Sequence, residues 1–274
     1  MIRFLALFAL LLNQIVAQDS VEYFPASLNI NPFFANQLEP KMGSLFDVGD
    51  NKLRLDIGNT VDIIQKKIND KETLSFGADF FTYSLLRRQK DFKFPVEAID
   101  YLFGINMAYI IKSEQMNYGL RFRISHISAH LVDGSYSVKN SQWRENNLPF
   151  VYSREFFELT PFIELHNLRL YSAITLIYHV KPSELGKDSY QIGGEYVIPN
   201  IISDNIFYYV AGDFKLIHLD KYNGIITLQT GLQFGNNSLR GLRIYYEYFS
   251  GKNIHGELFY QNITKSALGI NFDL

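Results

Sequence analysis

From Gly43 to the end of the chain, hydrophobic and polar residues alternate with a period of two. Leu53, Leu55, Ile57, Val61 and Ile63 are interleaved with Arg54, Asp56, Thr60 and Asp62. Leu74, Phe76, Ala78 and Phe80 are interleaved with Ser75, Gly77 and Asp79, and Tyr101, Phe103, Ile105, Met107, Tyr109 and Ile111 make a third stripe. The pattern returns in Leu170 to Tyr178, Ile226 to Phe234 and Leu242 to Tyr248. Such alternation presents one face of a strand to an apolar medium and the other to a polar one. It predicts about twelve long strands over residues 41–274, an even number as in single-chain membrane barrels.

The connections have a parity of their own. Short links fall at Ile68–Asp70, Ser113–Gln115, His166–Asn167 and Gly235–Ser238. Long ones fall at Arg87–Ala98, Val132–Pro149, Lys181–Ser189 and Ser250–Asn262. Pro199–Asn205 is longer than its short-side neighbours. Short and long links alternate in transmembrane β-barrels, where turns lie on one side and loops on the other. A soluble sandwich has no reason to show it. The expected fold is therefore all-β, a single-chain antiparallel transmembrane β-barrel. Leu268, Ile270, Phe272 and Leu274 close the chain on an alternating strand, which suits recognition by the barrel-assembly machinery, although Leu274 stands where an aromatic is usual.

Composition agrees with this picture. The 274 residues are 47% hydrophobic, 15% aromatic and 20% charged, with 18 Tyr and 23 Phe against one Trp. A mean hydropathy of −0.05 is too polar for a helical membrane protein. After the N-terminus, no apolar run approaches the about 18 residues of a spanning helix. Residues 1–17 read as a secretory signal, with Arg3 followed by the short apolar core Phe4–Leu12 and cleavage after Ala17 or Gln18. Ile15 is larger than the residue preferred near such a site. Residues 18–40 form a Pro- and Asn-bearing N-terminal segment before the barrel. The absence of Cys excludes disulfides, a lipoprotein anchor at that site and thiolate chemistry. A net charge of −2 argues against nucleic acid as a partner. Membrane lipids are the expected partner.

The inward face is expected to carry Arg54, Asp56, Asp62, Asp79, Arg121, Arg123, Arg154, Glu158, Glu164, Arg169, Glu195, Asp213, Arg243 and Glu247. A selective pore favours one sign, whereas interleaved signs favour a lumen cross-linked by ion pairs. The most informative stretch is Leu120 to Leu131. Counting by twos, His126, Ser128 and His130 share the face of Leu120, Phe122 and Ile124, which is the lipid face. Polar residues facing lipid are costly and tend to be functional. His126 and Ser128 lie about 6.6 Å apart at Cα on one face, compatible with the imidazole–hydroxyl hydrogen bond of a base and a Ser nucleophile. A His-x-Ser tripeptide is also common by chance, and such residues can simply meet lipid headgroups. Val151, Ser153, Glu155, Phe157 and Leu159 form the outward stripe of the next strand, so Glu155 is the candidate to orient His126, with Ser153 completing the polar patch. Asn140 is the alternative third member, in a loop. His126 and His130 are about 13 Å apart on a strand and cannot share a metal. His179, His218 and His255 read as loop or lumen residues. No phosphate loop, dinucleotide fingerprint or metal-ligand cluster is present, so no cofactor is assigned.

The run Arg121-Phe122-Arg123-Ile124-Ser125-His126-Ile127-Ser128-Ala129-His130-Leu131 resembles the His-x-Ser-Ser-His block of the outer-membrane family known as domain of unknown function 1207. Phe24-Pro25, Tyr152-Ser153-Arg154-Glu155, Gly193-Gly194-Glu195-Tyr196, Arg243 to Phe249 with Gly251, and Gly269-Ile270-Asn271-Phe272 are similar to that family in the same order. The chain departs from it at Ala129, where Ser is usual, and at Val132-Asp133-Gly134, where an acidic Gly-Asp-Glu is typical. This resemblance implies an outer-membrane barrel and no particular activity. His126-x-Ser128 also resembles the pair that outer-membrane phospholipase A and the lipid A deacylases carry on a lipid-facing strand. In that likeness Glu155 takes the third role only if the loop before it is an insertion, and Ala129 stands where Gly or Asn usually follows the Ser, so the oxyanion donors are unassigned.

Three readings follow: a non-enzymatic structural or narrow-conduit barrel, a lipid-ester hydrolase of the outer leaflet using Ser128, His126 and Glu155, and a small-solute channel. The side of the barrel that His126 faces separates the second from the others.

Overall fold

The computed structural model describes residues 21–201, 203–235 and 240–273. The expected signal sequence, part of the Gly235–Ser238 turn and the terminal Leu274 lie outside the described residues. Twelve antiparallel strands form the barrel: β1 (Met42–Asp47), β2 (Lys52–Lys67), β3 (Glu72–Arg87), β4 (Val96–Ile111), β5 (Asn117–Leu131), β6 (Tyr152–Leu165), β7 (Leu168–Lys181), β8 (Asp188–Ile198), β9 (Ile206–His218), β10 (Tyr222–Gly235), β11 (Gly241–Lys252) and β12 (Asn262–Asp273). Each strand pairs with its sequence neighbours, and β1 pairs with β12 to close the ring. Closure gives each of the twelve strands a hydrogen-bonded neighbour on both sides. The longest links, 88–95, 132–151 and 253–261, all fall at one end of the barrel, which sets a loop end against a turn end where β1 begins and β12 finishes. Links 48–51 and 219–221 at the loop end and 199–205 at the turn end depart from the expected short–long parity.

Alternation assigns the two faces as expected. Phe80, Phe103, Leu159, Ile174, Leu176, Ile192, Leu228 and Leu268 stand exposed on the outside, a band that water would penalise and a bilayer accommodates. Arg54, Asp56, Asp79, Arg121, Arg123, Glu158, Arg169, Glu195, Asp213, Arg243 and Glu247 are buried inside. The inner face is not polar throughout, however. Toward the loop end it becomes apolar, with Phe81, Tyr83, Leu102, Ile127, Tyr152, Phe156, Ile177 and Phe249 in one buried cluster.

The N-terminal segment explains how the polar half is filled. Val21–Tyr23 adds a short strand beside Ile64–Lys66 of β2, and the chain then turns into the lumen. Phe33 stacks on Tyr171 at 4.0 Å between ring centroids, with the Arg169 and Arg121 guanidinium groups over it at 4.5 and 5.0 Å. Phe34 lies under Arg243 at 4.3 Å, and its backbone N–H donates to Glu195 at 2.8 Å. The Glu39 carboxylate takes Arg121 in a two-pronged pair at 2.5 and 2.9 Å and Arg123 at 2.9 Å. Arg123 in turn reaches Asp79 at 3.0 Å. Arg54 bridges Asp56 at 2.6 Å and the Gln37 side chain. Arg54, Arg121, Arg123, Arg169 and Arg243 are thus paired, as expected, whereas Arg154 meets no carboxylate among the described residues, and a decisive carboxylate comes from a plug that periodicity does not reveal.

The plug also shapes the wall. A Cβ at Gly193 would come within 2.3 Å of the Tyr171 ring, so glycine there lets that ring lie flat and leaves room for Phe33. The loop between β11 and β12 folds back over the loop end. His255 Nδ1 bonds Asp100 at 2.6 Å, Gly256 N–H donates to the same carboxylate at 2.7 Å, and Glu257 accepts from the backbone of Leu131 and Phe150 at 3.1 and 3.0 Å. The lumen is plugged from one end and capped at the other.

Candidate functional site

Three neighbouring strands bring the outward polar residues together near the loop end. In register, His126 of β5 stands between Phe103 of β4 and Glu155 of β6, and Glu155 stands beside His179 of β7. Ser128 stands between Tyr101 and Ser153, one step nearer the rim. His126 Nδ1 bonds Glu155 Oε1 at 2.6 Å. The other carboxylate oxygen, Oε2, bonds Nδ1 of His179. One carboxylate therefore joins two imidazoles on the outside of the barrel. Side-chain exposure falls from 53% at His179 to 29% at His126 and 20% at Glu155, so the carboxylate is the sheltered centre of the group.

A neutral imidazole that donates from Nδ1 to a carboxylate keeps an acceptor lone pair at Nε2. In His126 that free nitrogen is the one available to a hydroxyl, and a negative carboxylate behind the ring stabilises it when it gains a proton. The Phe103 ring, 4.9 Å from His126 between centroids, packs against one side of the imidazole. His130 is exposed, 6.1 Å from the Tyr101 ring, and stands outside the hydrogen-bonded group. Among the described residues the Ser128 and Ser153 hydroxyls make no hydrogen bond, so Ser128 shares the face without being tied to His126. Asn140 remains in the β5–β6 loop, between the short hairpin strands Tyr136–Ser137 and Gln142–Trp143. Among the described residues no group of three or more His, Asp or Glu side chains is placed to hold a metal ion.

His179 corrects the reading that placed it in a loop or the lumen. Leu170, Ile174, Leu176 and Tyr178 face outward, which by strict alternation turns His179 inward. A β-bulge between Ile177 and His179 shifts the register, so Tyr178 and His179 both face out and Val180 returns to the interior. Bulges re-aim side chains in this way. The one sequence trace of it is the pair Ile177 and Val180, two inward apolar residues separated by two positions rather than one. His218 is also on the outer rim, where Asp188 holds it at 2.8 Å and Tyr222 stacks on it at 4.4 Å. His255 belongs to the loop, as expected, and is buried in the cap.

With the geometry in place, comparison with known proteins adds fold and kinship. Residues 96–274 match a sequence model described as "Protein of unknown function (DUF1207)". No curated protein matches the sequence significantly. Among solved structures, outer membrane phospholipase A from Escherichia coli superposes with a TM-score of 0.56 at 11% identity, covering 89% of this chain and 94% of that one. The Salmonella typhi outer membrane phospholipase, solved as a dimer with bound calcium, gives 0.54 at 11% identity, covering 88% and 93%. At these identities the likeness is one of fold, that of an outer-membrane barrel.

Proposed function

The chain belongs to the DUF1207 family of proteins of unknown function, and from that premise we propose that it is a bacterial outer-membrane enzyme that hydrolyses acyl esters of outer-leaflet lipids. One observation carries the reading: Glu155 is bonded to Nδ1 of His126 on the outside of the barrel, leaving Nε2 free two residues from Ser128 on the same face. The filled and capped lumen supports an activity at the lipid boundary over conduction through the barrel.

In this reading the loop end lies at the outer surface, and the ester of a lipid in the outer leaflet meets Ser128 from the side. Ser128 Oγ attacks the carbonyl carbon as its proton passes to His126 Nε2. Glu155, ionised, holds the ring and balances the imidazolium. Collapse of the tetrahedral intermediate breaks the ester bond, and His126 returns the proton to the departing alkoxide. Water then attacks the acyl-Ser128 ester by the same route, releasing the fatty acid. In this reading the Ser153 hydroxyl, directly across the ladder from Ser128, serves as a donor to the developing oxyanion. His179 holds the second carboxylate oxygen and so fixes the Glu155 rotamer.

The experiment is fatty-acid release by purified protein in mixed micelles, with phospholipid in one arm and lipid A in the other. The intact chain is expected to release acid from at least one, and Ser128→Ala to stop it. Equal release by both proteins, or none by the intact chain from either lipid, overturns the proposal.

A further inference from the structure

The strands that carry His126 and Glu155 outside enclose a chamber inside. Its volume is about 80 Å³, and Ile127, Phe156, Ile177, Ile217 and Ile225 supply apolar walls. Two cations, Arg154 and Lys215, also line it. The other lumen arginines Arg54, Arg121, Arg123, Arg169 and Arg243 each meet a carboxylate. Arg154 does not. Its Nε and Nη2 are withdrawn from solvent with no hydrogen-bond acceptor among the described residues, and its guanidinium lies over the Tyr152 ring at 5.4 Å and has that residue's hydroxyl, not a carboxylate, as its side-chain hydrogen-bond partner. Lys215 makes no close ion pair or hydrogen bond among the described residues, and Asp213, on the same strand, is the carboxylate that attracts it from a distance. The carboxylate that lines the chamber, Asp213, is engaged through Oδ2 by the Tyr171 hydroxyl and the Gln191 amide, both at 2.5 Å.

A guanidinium held against apolar walls with a neutral acceptor and no carboxylate is costly unless something supplies the charge. In a barrel that pairs its other inward arginines, the exception marks a place prepared for an anion. The apolar walls exclude a strongly hydrated inorganic ion and favour one whose charge sits on a compact hydrocarbon body. A route exists. A larger cavity of about 390 Å³ at the loop end shares Gln37, Asn253 and Ile254 with the chamber, so the plug and the cap loop together form the partition between them.

We propose that this chamber binds a small organic carboxylate, with its charge between Arg154 and Lys215 and its apolar body against the isoleucine-rich wall. The site is independent of the hydrolysis read at the outer face.

The test is calorimetric titration of the full chain in nonionic detergent with hexanoate and benzoate as probes, and with hexanol and inorganic phosphate as controls. Saturable binding of at least one carboxylate is expected, with affinity at least tenfold above that for hexanol or phosphate. Lys215→Gln and Arg154→Gln are each expected to weaken it tenfold or more. Lys215 sits late in β9, so its variant keeps the test readable if loss of Arg154 impairs folding. Ser128→Ala is expected to bind as the intact chain does, whatever becomes of the hydrolase proposal. Absence of saturable carboxylate binding, equal binding of hexanol, equal binding of phosphate, or unchanged affinity in Lys215→Gln would each overturn the inference.

Discussion

Replacing Glu39 with Gln keeps the shape of the plug and removes the charge on which it is seated. In the folded protein the carboxylate meets Arg121 at 2.5 and 2.9 Å and Arg123 at 2.9 Å, and it is 2% exposed. With an amide there, one N–H₂ group faces two guanidinium donors. Arg121 is left with Glu158 at 3.8 Å, and Arg123 with Asp79 at 3.0 Å and Glu158 at 3.5 Å. Removing one partner from such a buried group costs about 3–5 kcal/mol. A second route gives a similar figure. Burial raises the Glu39 carboxyl, but Arg121 and Arg123 outweigh it and hold it at about 2 instead of 4.5, which favours the ionised form by roughly 3 kcal/mol. For a chain of this size, that corresponds to a fall in thermal midpoint of roughly 6–12 °C. Because the folded value is depressed, this stability is fully present above pH 4.5 and is lost as pH falls toward 2. Circular dichroism melts of both proteins in nonionic detergent, from pH 7 down to pH 2, read the effect. Midpoints at pH 7 agreeing to within about 2 °C, or a gap of the same size at pH 2, would refute the reasoning.

Other consequences follow from the same contacts. Glu155→Gln, which leaves His126 without a charged partner, should slow fatty-acid release by about 10²–10⁴-fold with little change in KM; an unchanged rate would remove Glu155 from the mechanism. His179→Gln should retain activity at a lower kcat, because Glu155 loses the partner on its second oxygen, and a kcat equal to that of the intact chain would make His179 a bystander. Gly193→Ala drives a methyl into the Tyr171 ring beneath Phe33 and should cost about 1–3 kcal/mol, seen as a lower melting midpoint. In planar bilayers the intact chain should show no stepwise conductance, since plug and cap both stay bonded; regular single-channel steps would mean that one of them leaves.

How much of this could be read beforehand depends on how local each signal is. The strand count, the loop parity and the outward face of His126, Ser128 and Glu155 all follow from a period of two within single strands, and each is a property of a few consecutive residues. The plug has no such signature. Asn29, Phe33, Phe34, Gln37 and Glu39 are held by partners scattered from Arg54 to Glu247, so nothing in their own spacing announces burial. Arg121 and Arg123 could be recognised as inward charges needing partners, yet not as partners of Glu39. His179 illustrates the converse limit. The rule that located His126 on the lipid face is the same rule that sends His179 inward, and one extra residue in β7 is enough to reverse it. Since a bulge costs ladder hydrogen bonds and leaves a residue unpaired, its position opposite Glu155 needs a return. The bond from His179 to the second oxygen of Glu155 supplies one. That makes the irregularity in β7 part of the site and not a defect beside it.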